Sequence, residues 1–235
     1  GERFIEAFLT PAERRAWQRV KKAADVFTLG KLGSVTNGYV SGDNNFFHRT
    51  LGDGLPEDWL IPTARNGRSL PGLSYTAEDI IDHERAGKPH HLVVPQDDLF
   101  ADRDRLDAFI AEGTKAGVNQ RFKCRTRRPW WKVPGLIRPD LLMTYMAGSM
   151  PRVALNSVEA VYSNTLHGVR LNPGIAPLDV ALAFHSSLTL LSAEIEGRSY
   201  GGGILKLEPS EAAAVRVALP ASMRCKAERQ AADVD

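Results

Sequence analysis

Cysteine is scarce in this sequence. The 235 residues contain two, Cys124 and Cys225, which lie far apart and form no CxxC pair. This scarcity excludes a disulfide framework, and without paired cysteines no zinc-binding spacing is recognisable. We interpret both cysteines as ordinary free thiols.

Long apolar runs are also missing. No stretch approaches the roughly 20 apolar residues that a membrane-spanning helix needs. The first residues, GERFIEAFLTPAERR, lack the basic region and apolar core of a secretory signal. We therefore expect a cytoplasmic protein without membrane contact. Since 43% of the residues are apolar, the chain can bury a proper core, as one large domain or two small ones.

Phosphate-binding loops and common metal patterns do not occur either. Neither GxxxxGK[ST] nor GxGxxG is present, which argues against a nucleotide site. Pro139-Asp140 is not followed by the Glu-x-Lys of a carboxylate nuclease. His90 and His91 would face opposite sides of a strand and have no third ligand at a recognisable spacing. We expect neither a metal site nor a nuclease centre.

What the sequence does contain is segregated positive charge. Residues 115–138 carry eight Lys and Arg residues and no acid. The whole chain has 30 basic and 28 acidic residues, so the remainder holds 22 basic residues against all 28 acids. We call residues 115–138 the basic block. Its composition predicts a surface for a polyanion, and guanidinium groups favour phosphate because they bind it in a planar, bidentate manner.

The order of residues inside the basic block suggests how it is arranged. If residues 121–127 form a strand, their side chains alternate between two faces. The cationic face would then carry Arg121, Lys123, Arg125 and Arg127. The opposite, more apolar face would pack on a core. The alternative is a solvated strand face whose charges are balanced by acids from elsewhere in the fold.

Two adjacent tryptophans follow in the segment RRPWWKVP. On an extended chain, adjacent side chains point in opposite directions. We therefore expect one of Trp130 and Trp131 to lie in the core and the other to face outward, where it can stack on a base or sugar.

Residues 29–50 are rich in glycine and asparagine and predict a strand, a turn and a second strand anchored by Phe46 and Phe47. The turn would carry Asn37, Asn44 and Asn45. Their amides suit adenine edges or phosphates, although Asn-Gly is also ordinary turn chemistry.

The rest of the chain supplies scaffold. Thr10, Pro11 and Glu13 form a capping-box signature for a helix running to about Ala24. A loop ends in a cationic tip, Arg65-Asn66-Gly67-Arg68. Further helices are predicted over residues 76–86, 102–117 and 177–196, the last interrupted near Ser186-Ser187, and strands over residues 152–155 and 166–171.

Three motifs carry a family resemblance that covers most of the chain. GSVTNGYVSGDNNFF resembles a G-x-V-T-x-G-x-N-x-F-F region, RRPWWKVP resembles R-x-x-W-[WY]-x-v, and EGRSYGGGILKLEPSE resembles a G-R-x-y-G-G-G-x-L-k-l-e-P-x-E ending. In this order they are similar to the C-terminal target-recognition half of N6-adenine DNA methyltransferases from restriction-modification systems. Asn156, Asn164 and His167 fall where that family has N…N…H-g. The sequence T-N-G-Y-V-S-G departs from the usual glycine spacing, so we expect that turn to carry an altered set of contacts.

The resemblance implies a domain that binds duplex DNA and presents an adenine to a separate catalytic domain. Methyl transfer from S-adenosylmethionine in this family uses a [DNS]-P-P-[YFW] tetrapeptide, which holds the flipped base. This chain contains no Pro-Pro. We expect it to be the C-terminal part of a longer methyltransferase, inactive alone, with the cofactor bound by the catalytic domain.

These inferences combine into one hypothesis. We expect an α+β fold with a mixed, largely antiparallel sheet and flanking helices, in which residues 1–28 are a helical lead-in and residues 29–235 the target-recognition domain. A single-stranded nucleic-acid or RNA-binding module remains the alternative. The predicted DNA-binding residues are Asn37, Asn44, Asn45, Arg121, Lys123, Arg125, Arg127, Arg128, Trp130, Trp131, Lys132, Asn164, His167 and Arg198. Arg198 lies beside a Gly201-Gly202-Gly203 turn that suits either a phosphate or a tight connection between helix and strand.

Overall fold

A computed structural model describes residues 4–95, 103–148 and 150–219 of the chain. The described α-helices are α1 (Pro11–Lys21), α2 (Leu29–Leu32), α3 (Asn44–Phe47), α4 (Ala77–Arg85), α5 (Arg103–Lys115), α6 (Phe122–Arg125), α7 (Pro177–Phe184), α8 (Ser187–Glu196) and α9 (Pro209–Ala214). Short 3-10 helices span Phe4–Phe8, Glu57–Trp59, Gly67–Ser69 and Val118–Gln120.

Fourteen described strands form four sheets. The five-stranded sheet has the order β2 (Gly33–Asn37), β11 (Leu166–Leu171), β7 (Leu141–Thr144), β9 (Val153–Asn156), β5 (Ser74–Tyr75). The four-stranded sheet has the order β10 (Val161–Tyr162), β4 (Leu60–Ala64), β6 (His91–Val93), β3 (His48–Arg49). The smaller sheets are β12 (Arg198–Tyr200), β13 (Ile204–Lys206), β8 (Met146–Ala147), and β1 (Val26–Thr28) with β14 (Arg216–Ala218).

Pairing is mixed but mostly antiparallel, as predicted. Among the described ladders only β10 with β4 and β5 with β9 are parallel. The helices flank these sheets, so the α+β class is confirmed. No single described helix is both long and apolar enough to cross a membrane; α7 and α8 reach that composition only as a pair bent by 77°.

Both faces of the five-stranded sheet are buried. Leu141 and Met143 belong to one apolar cluster, together with Phe184 of α7 and other helical residues. Leu142, between them in β7, belongs to a second cluster with Tyr75 and Tyr162. Because side chains alternate along a strand, the run LLM supplies both faces at once. The sheet is therefore the central layer of this part of the molecule.

A third cluster is aromatic and lies under the basic block. Its buried members include Phe47, Trp59, Phe109 and Trp131. Gly113 of α5 allows the close packing, because a Cβ there would lie 2.3 Å from the ring of Trp130 and 2.7 Å from that of Phe46. The block is thus built on a rigid hydrophobic base.

Several predicted elements are confirmed with their caps. Thr10 and Glu13 form the capping box of α1, which ends at Lys21. Thr76 caps α4 in the same way. The predicted interruption near Ser186 separates α7 from α8, and its hydroxyl accepts from the backbone N–H of Thr189.

Two predicted strands are wrong. Phe46 and Phe47 lie in the short helix α3, because Asp43 caps its first turn by accepting from the N–H groups of Asn45 and Phe46. Residues 121–127 do not form a strand either. Gly117 adopts a left-handed conformation with φ of 71° after α5, and the chain continues through a 3-10 turn into α6.

Candidate nucleic-acid interface

Three segments that are distant in sequence surround one groove with a volume of about 860 Å³. They are the turn after β4, the loop between β7 and β9, and the turn between β10 and β11. We call this cavity the polar groove. Its lining consists of Asn66, Gly67, Arg68, Thr144, Tyr145, Met146, Ala147, Gly148, Met150, Arg152, Asn164 and Thr165.

Hydrogen bonds to main-chain atoms hold the walls of the polar groove together. Arg152 donates from Nη2 to the carbonyl oxygen of Gly67 at 2.7 Å, and its backbone N–H donates to Thr144 Oγ1 at 2.9 Å. On the other side, Thr165 Oγ1 donates to the carbonyl oxygen of Arg65 at 2.7 Å. The groove is therefore shaped before any ligand arrives, which lowers the entropic cost of binding.

The charge of the polar groove is positive. Arg68 is exposed and Arg152 half-buried, and no residue in the lining is acidic. Glu208 approaches from behind, where its carboxylate accepts from Tyr145 Oη at 3.1 Å, but Lys206 Nζ lies 2.7 Å from the same carboxylate oxygen. That contact with Lys206 lowers the pKa of Glu208. An anionic or electron-rich ligand fits this lining best.

His167 lies behind the polar groove and not in it. Its side chain is fully buried in β11, and Nε2 donates to the carbonyl oxygen of Leu207 at 2.7 Å. Burial lowers the pKa of His167, so the neutral ring is favoured. Tyr145, which lines the groove, packs edge-on against this imidazole at 5.0 Å between ring centroids. His167 was predicted to contact bases, but in this structure it has no accessible surface and supports Tyr145.

The cationic part of the basic block consists mainly of the helical turn α6 and the loop that follows it. Arg121, Lys123 and Arg125 are all exposed, but they do not alternate along a strand, because residues 122–125 form a helical turn in which successive residues are about 100° apart. The single cationic strand face that we predicted is therefore wrong. Arg128 and Lys132 extend the exposed cations beyond α6.

Some cations of the block already contact protein groups. Arg127 donates from Nη1 to the carbonyl oxygen of Ser41 at 2.8 Å and from Nη2 to that of Val40. Burial lowers the pKa of Arg127, yet these carbonyls satisfy its terminal nitrogens. The exposed Arg121 lies 3.4 Å from the largely buried carboxylate of Asp43 in an ion pair. The structure thus places Arg127 as a link between the block and residues 40–41.

The exposed fractions of the two tryptophans differ less than we predicted. Trp131 is 7% exposed and belongs to the aromatic cluster, as expected for the core ring. Trp130 is half-buried and packs against Phe46 at 5.9 Å between ring centroids, so it is not the freely exposed ring that we predicted. The exposed aromatic of the block is Phe122, which is 64% exposed and contacts Lys123 and Arg125 through its ring face.

Residues 37–45 connect the basic block to the polar groove. Gly38 passes so close to the turn after β10 that a Cβ would lie 2.1 Å from the carbonyl oxygen of Tyr162. Tyr39 then accepts at its carbonyl oxygen from the backbone N–H of Asn164 at 2.9 Å. Glycine at position 38 is therefore required for this close approach, beyond any turn preference.

The predicted asparagines are distributed along this connection. Asn37 is exposed at the end of β2, opposite His167 in the ladder. Asn44 and Asn45 are exposed at the start of α3, next to the contact between Asp43 and Arg121. Asn164 lines the polar groove itself. The structure thus brings Asn164 to the groove and the other pair to the block.

Arg198 belongs neither to the lining of the polar groove nor to the basic block. Its Nε is 2.6 Å from Glu211 Oε1, and that contact raises the pKa of Arg198. The Gly201-Gly202-Gly203 turn joins β12 to β13 in a hairpin and not a helix to a strand. Arg198 is therefore already paired with a carboxylate on this face.

Buried histidines lie in the core behind β3, β4 and β6. His48 Nε2 is 2.8 Å from Tyr39 Oη, which is also 2.7 Å from Thr63 Oγ1. His90 Nε2 is 3.0 Å from Ser69 Oγ, next to the turn that lines the polar groove. Burial lowers the pKa of both His48 and His90 to about 4. The two rings are neutral at physiological pH.

Most residues of the polar groove belong to none of the motifs in the sequence. Arg68 and Asn66 were recognised only as part of a cationic tip, and Tyr145, Met146 and Arg152 were not singled out. Two signals pointed toward them. The polar pair Thr144-Tyr145 interrupts the apolar run LLMTYMA just before Met146, and Arg152 is the first residue of the strand predicted over residues 152–155, next to a loop where functional side chains gather.

Comparisons with known proteins agree with this architecture. Over residues 1–235 the chain matches a family model described as the C-terminal domain of Type II methyltransferase M.Eco57I. It is 29% identical over 197 residues to Type II methyltransferase M.XamI of Xanthomonas campestris pv. amaranthicola, covering 80% of this chain and 36% of that protein. It is 22% identical over 198 residues to Type II methyltransferase M.AccI of Acinetobacter calcoaceticus, covering 81% and 36%.

The chain thus spans little more than a third of the length of these two relatives. Among solved structures, the type IIG restriction endonuclease BpuSI matches with a TM-score of 0.59 at 12% sequence identity, covering 95% of this chain and 28% of that one. At this identity the likeness concerns the fold. The predicted resemblance to the C-terminal region of restriction-modification methyltransferases is confirmed.

Proposed function

We propose that this chain, which belongs to the family of the C-terminal domain of Type II methyltransferase M.Eco57I, binds duplex DNA and recognises the target sequence for an adenine-N6 methyltransferase of a restriction-modification system. The observation that carries the proposal is one of placement. The polar groove and the exposed cations of the basic block are joined by residues 37–45. We infer from this connection that one duplex contacts both regions.

Electrostatics support duplex DNA as the ligand. Phosphate groups recur every few ångströms along a duplex, so a row of exposed cations gains affinity from each one by releasing counterions. The block supplies Lys123, Arg125, Arg128 and Lys132 for this purpose. The groove supplies fewer charges but adds amides, which suit base edges better than phosphates.

Methyl transfer belongs to another part of the longer protein in this proposal. The chain has no [DNS]-P-P-[YFW] tetrapeptide with which to hold a flipped adenine. We assign S-adenosylmethionine and the transfer step to a catalytic domain that is a partner of this one. We place the protein in the cytoplasm, where a restriction-modification methyltransferase meets its DNA.

A single-stranded nucleic-acid module is the second candidate, and Phe122 is the observation that favours it. This ring is exposed and flanked by two cations, which is the arrangement on which an unpaired base can stack. Trp130 and Trp131 add little to this alternative, because both pack in the aromatic cluster. One exposed ring is a small platform compared with the charged surface around it.

Competition binding distinguishes the two candidates. The 235-residue chain is titrated into a fluorescent 20-base-pair duplex of random sequence, followed by unlabelled duplex DNA, single-stranded DNA or RNA of equal length. We expect the duplex to compete best, with a dissociation constant of roughly 10⁻⁴ to 10⁻⁶ M at physiological salt. Stronger competition by either single strand would replace the duplex proposal with the alternative.

The division of labour has its own test. The purified chain is incubated with labelled S-adenosylmethionine and DNA of mixed sequence. We expect no methyl transfer above a buffer blank and no saturable heat of cofactor binding. Either signal would mean that the catalytic step is wrongly assigned to another domain.

A further inference from the structure

We infer that the polar groove contacts the edges of base pairs, with Arg68 and Arg152 binding guanine, while the basic block contacts the phosphates. This inference rests on the proposed function and assigns the groove a different part of the same duplex. Arg68, Asn66, Met146, Met150 and Arg152 lie outside the motifs on which the family resemblance depends.

The mixture of side chains in the groove is the first argument. Phosphate needs only charge and hydrogen-bond donors. The groove combines two guanidinium groups with the amides of Asn66 and Asn164 and the exposed side chains of Met146 and Met150. Base-pair edges present the matching set, because guanine offers two acceptors, adenine a donor and an acceptor, and thymine a methyl group.

The exposed methionines are the second argument. Met146 is 45% exposed and Met150 54% exposed, although the chain buries Met143 completely. Apolar side chains left at the rim of a cationic cavity gain nothing from phosphate. They gain contact area against a thymine methyl group or a base face. Together with the absence of acids from the lining, the methionines favour base edges over phosphates as the groups that the polar groove contacts.

The anchoring of the arginines is the third argument. Arg152 is fixed by its bond to the carbonyl oxygen of Gly67, and Asn66 Oδ1 accepts from the backbone N–H of Arg68 at 2.9 Å. The turn that carries Arg68 is therefore held in one geometry. The guanidinium of Arg152 is thus itself fixed, whereas that of Arg68 projects from a fixed backbone. Discrimination between bases needs donors that are placed in this way, whereas a mobile cation is sufficient for a phosphate.

The test uses the full 235-residue chain and a library of 20-base-pair duplexes with a randomised centre. Bound duplexes are recovered and sequenced for wild type, Arg68→Ala and Asn164→Ala. Arg170→Ala is the matched control, because Arg170 is also an exposed arginine but does not line the groove. It lies on β11 near the end of the strand opposite Leu166, which follows the groove residues Asn164 and Thr165. Affinity and salt dependence are measured in parallel with one fluorescent duplex of random sequence.

We expect wild type and Arg170→Ala to enrich the same motif. Arg68→Ala should lose the preference for guanine at one position of that motif by about 5- to 150-fold. Its affinity for the random duplex should change by less than about threefold, and its salt dependence should stay the same. Asn164→Ala should relax a different position.

Three outcomes overturn the inference. An unchanged motif in both groove variants, or no enriched motif in wild type, would remove base contact from the groove. A weaker affinity of Arg68→Ala for every duplex, with a shallower salt dependence, would make Arg68 a phosphate ligand. Failure of wild type to bind the random duplex at all would instead overturn the proposed function, so the two failures are distinguishable.

Discussion

The polar groove and the basic block hold their cations in different ways. In the groove, Arg152 is tied to a main-chain carbonyl and the turn carrying Arg68 is held by Asn66. In the block, the exposed cations extend from one helical turn and the loop after it. The block therefore supplies most of the exposed positive charge, and the groove supplies polar groups in fixed positions. Affinity for any duplex and preference for one sequence can therefore reside in separate parts of one surface.

The two regions also rest on different foundations. The block lies over packed aromatic rings, including Trp59, Phe109 and Trp131. The turn of the groove contacts a buried polar layer through Ser69 and His90. The stability of the aromatic cluster depends on packing, whereas the contact between Ser69 and His90 depends on the protonation state of the histidine. Different perturbations should therefore weaken each side.

The largest expected effect comes from the foundation of the block. Trp131→Ala removes a ring that is 7% exposed and should lower the free energy of unfolding by roughly 3 to 5 kcal/mol. Trp130→Ala, at a half-buried ring, should cost less. Urea denaturation followed by circular dichroism measures both. Equal costs for the two substitutions would mean that the aromatic cluster does not distinguish the rings as their burial does.

Local signals in the sequence were enough for much of the fold. Thr10 with Glu13, and Thr76 with Asp79, cap helices through contacts three residues apart, so they can be recognised without a structure. The interruption at Ser186 is local in the same way. These elements form wherever the rest of the chain lies.

The groove could not be predicted in this way. Arg152 meets Gly67 across 85 positions, and no periodicity encodes such a contact. His167 was assigned to bases from the family resemblance, and the sequence could not reveal its burial, because both faces of the central sheet are buried around β11. The predicted cationic strand failed because alternating cations fit a helical turn with a following loop equally well.

Acid should act on two buried histidines, of which His90 contacts the turn of the groove and His48 contacts Tyr39 of the aromatic cluster. Burial lowers the pKa of His48 and His90 to about 4, below the value of about 6.5 in an unfolded chain. The unfolded state therefore binds these protons first, so stability is complete above about pH 6.5 and falls as the pH approaches 4. Between pH 7 and pH 5 we expect a loss of roughly 1 to 2 kcal/mol per histidine, measured by urea denaturation.

A single substitution separates this effect from general acid denaturation. His48→Gln removes one titrating group, so its stability should decline less steeply between pH 7 and pH 5 than that of the wild type. Arg170→Ala serves as the control and should follow the wild-type curve. Identical slopes for His48→Gln and wild type would show that this buried ring does not govern the acid response.

Arg127 is the cation of the block that resembles those of the groove, because it binds carbonyl oxygens. Arg127→Ala leaves the carbonyls of Val40 and Ser41 without these donors and should destabilise the fold by roughly 1 to 3 kcal/mol. Arg125→Ala, at an exposed side chain, should change stability by less than about 0.5 kcal/mol. Thermal melting of the two variants compares them directly. A wild-type melting temperature for Arg127→Ala would mean that the contacts of Arg127 with these carbonyls do not stabilise the fold.

The smallest effect concerns a single exposed charge and tests the comparison most directly. The slope of log K against log salt is negative. If Arg125 neutralises one phosphate, Arg125→Ala should make this slope shallower by about 0.9 and weaken binding to all duplexes alike. Arg68→Ala should leave that slope unchanged, since we assign Arg68 to a base. A salt titration by fluorescence anisotropy, with a random duplex and from 50 to 200 mM salt, compares both variants with Arg170→Ala. If Arg125→Ala keeps the wild-type slope while Arg68→Ala loses a unit, the assignments of block and groove must be exchanged, because the charge that meets phosphate would then lie in the groove.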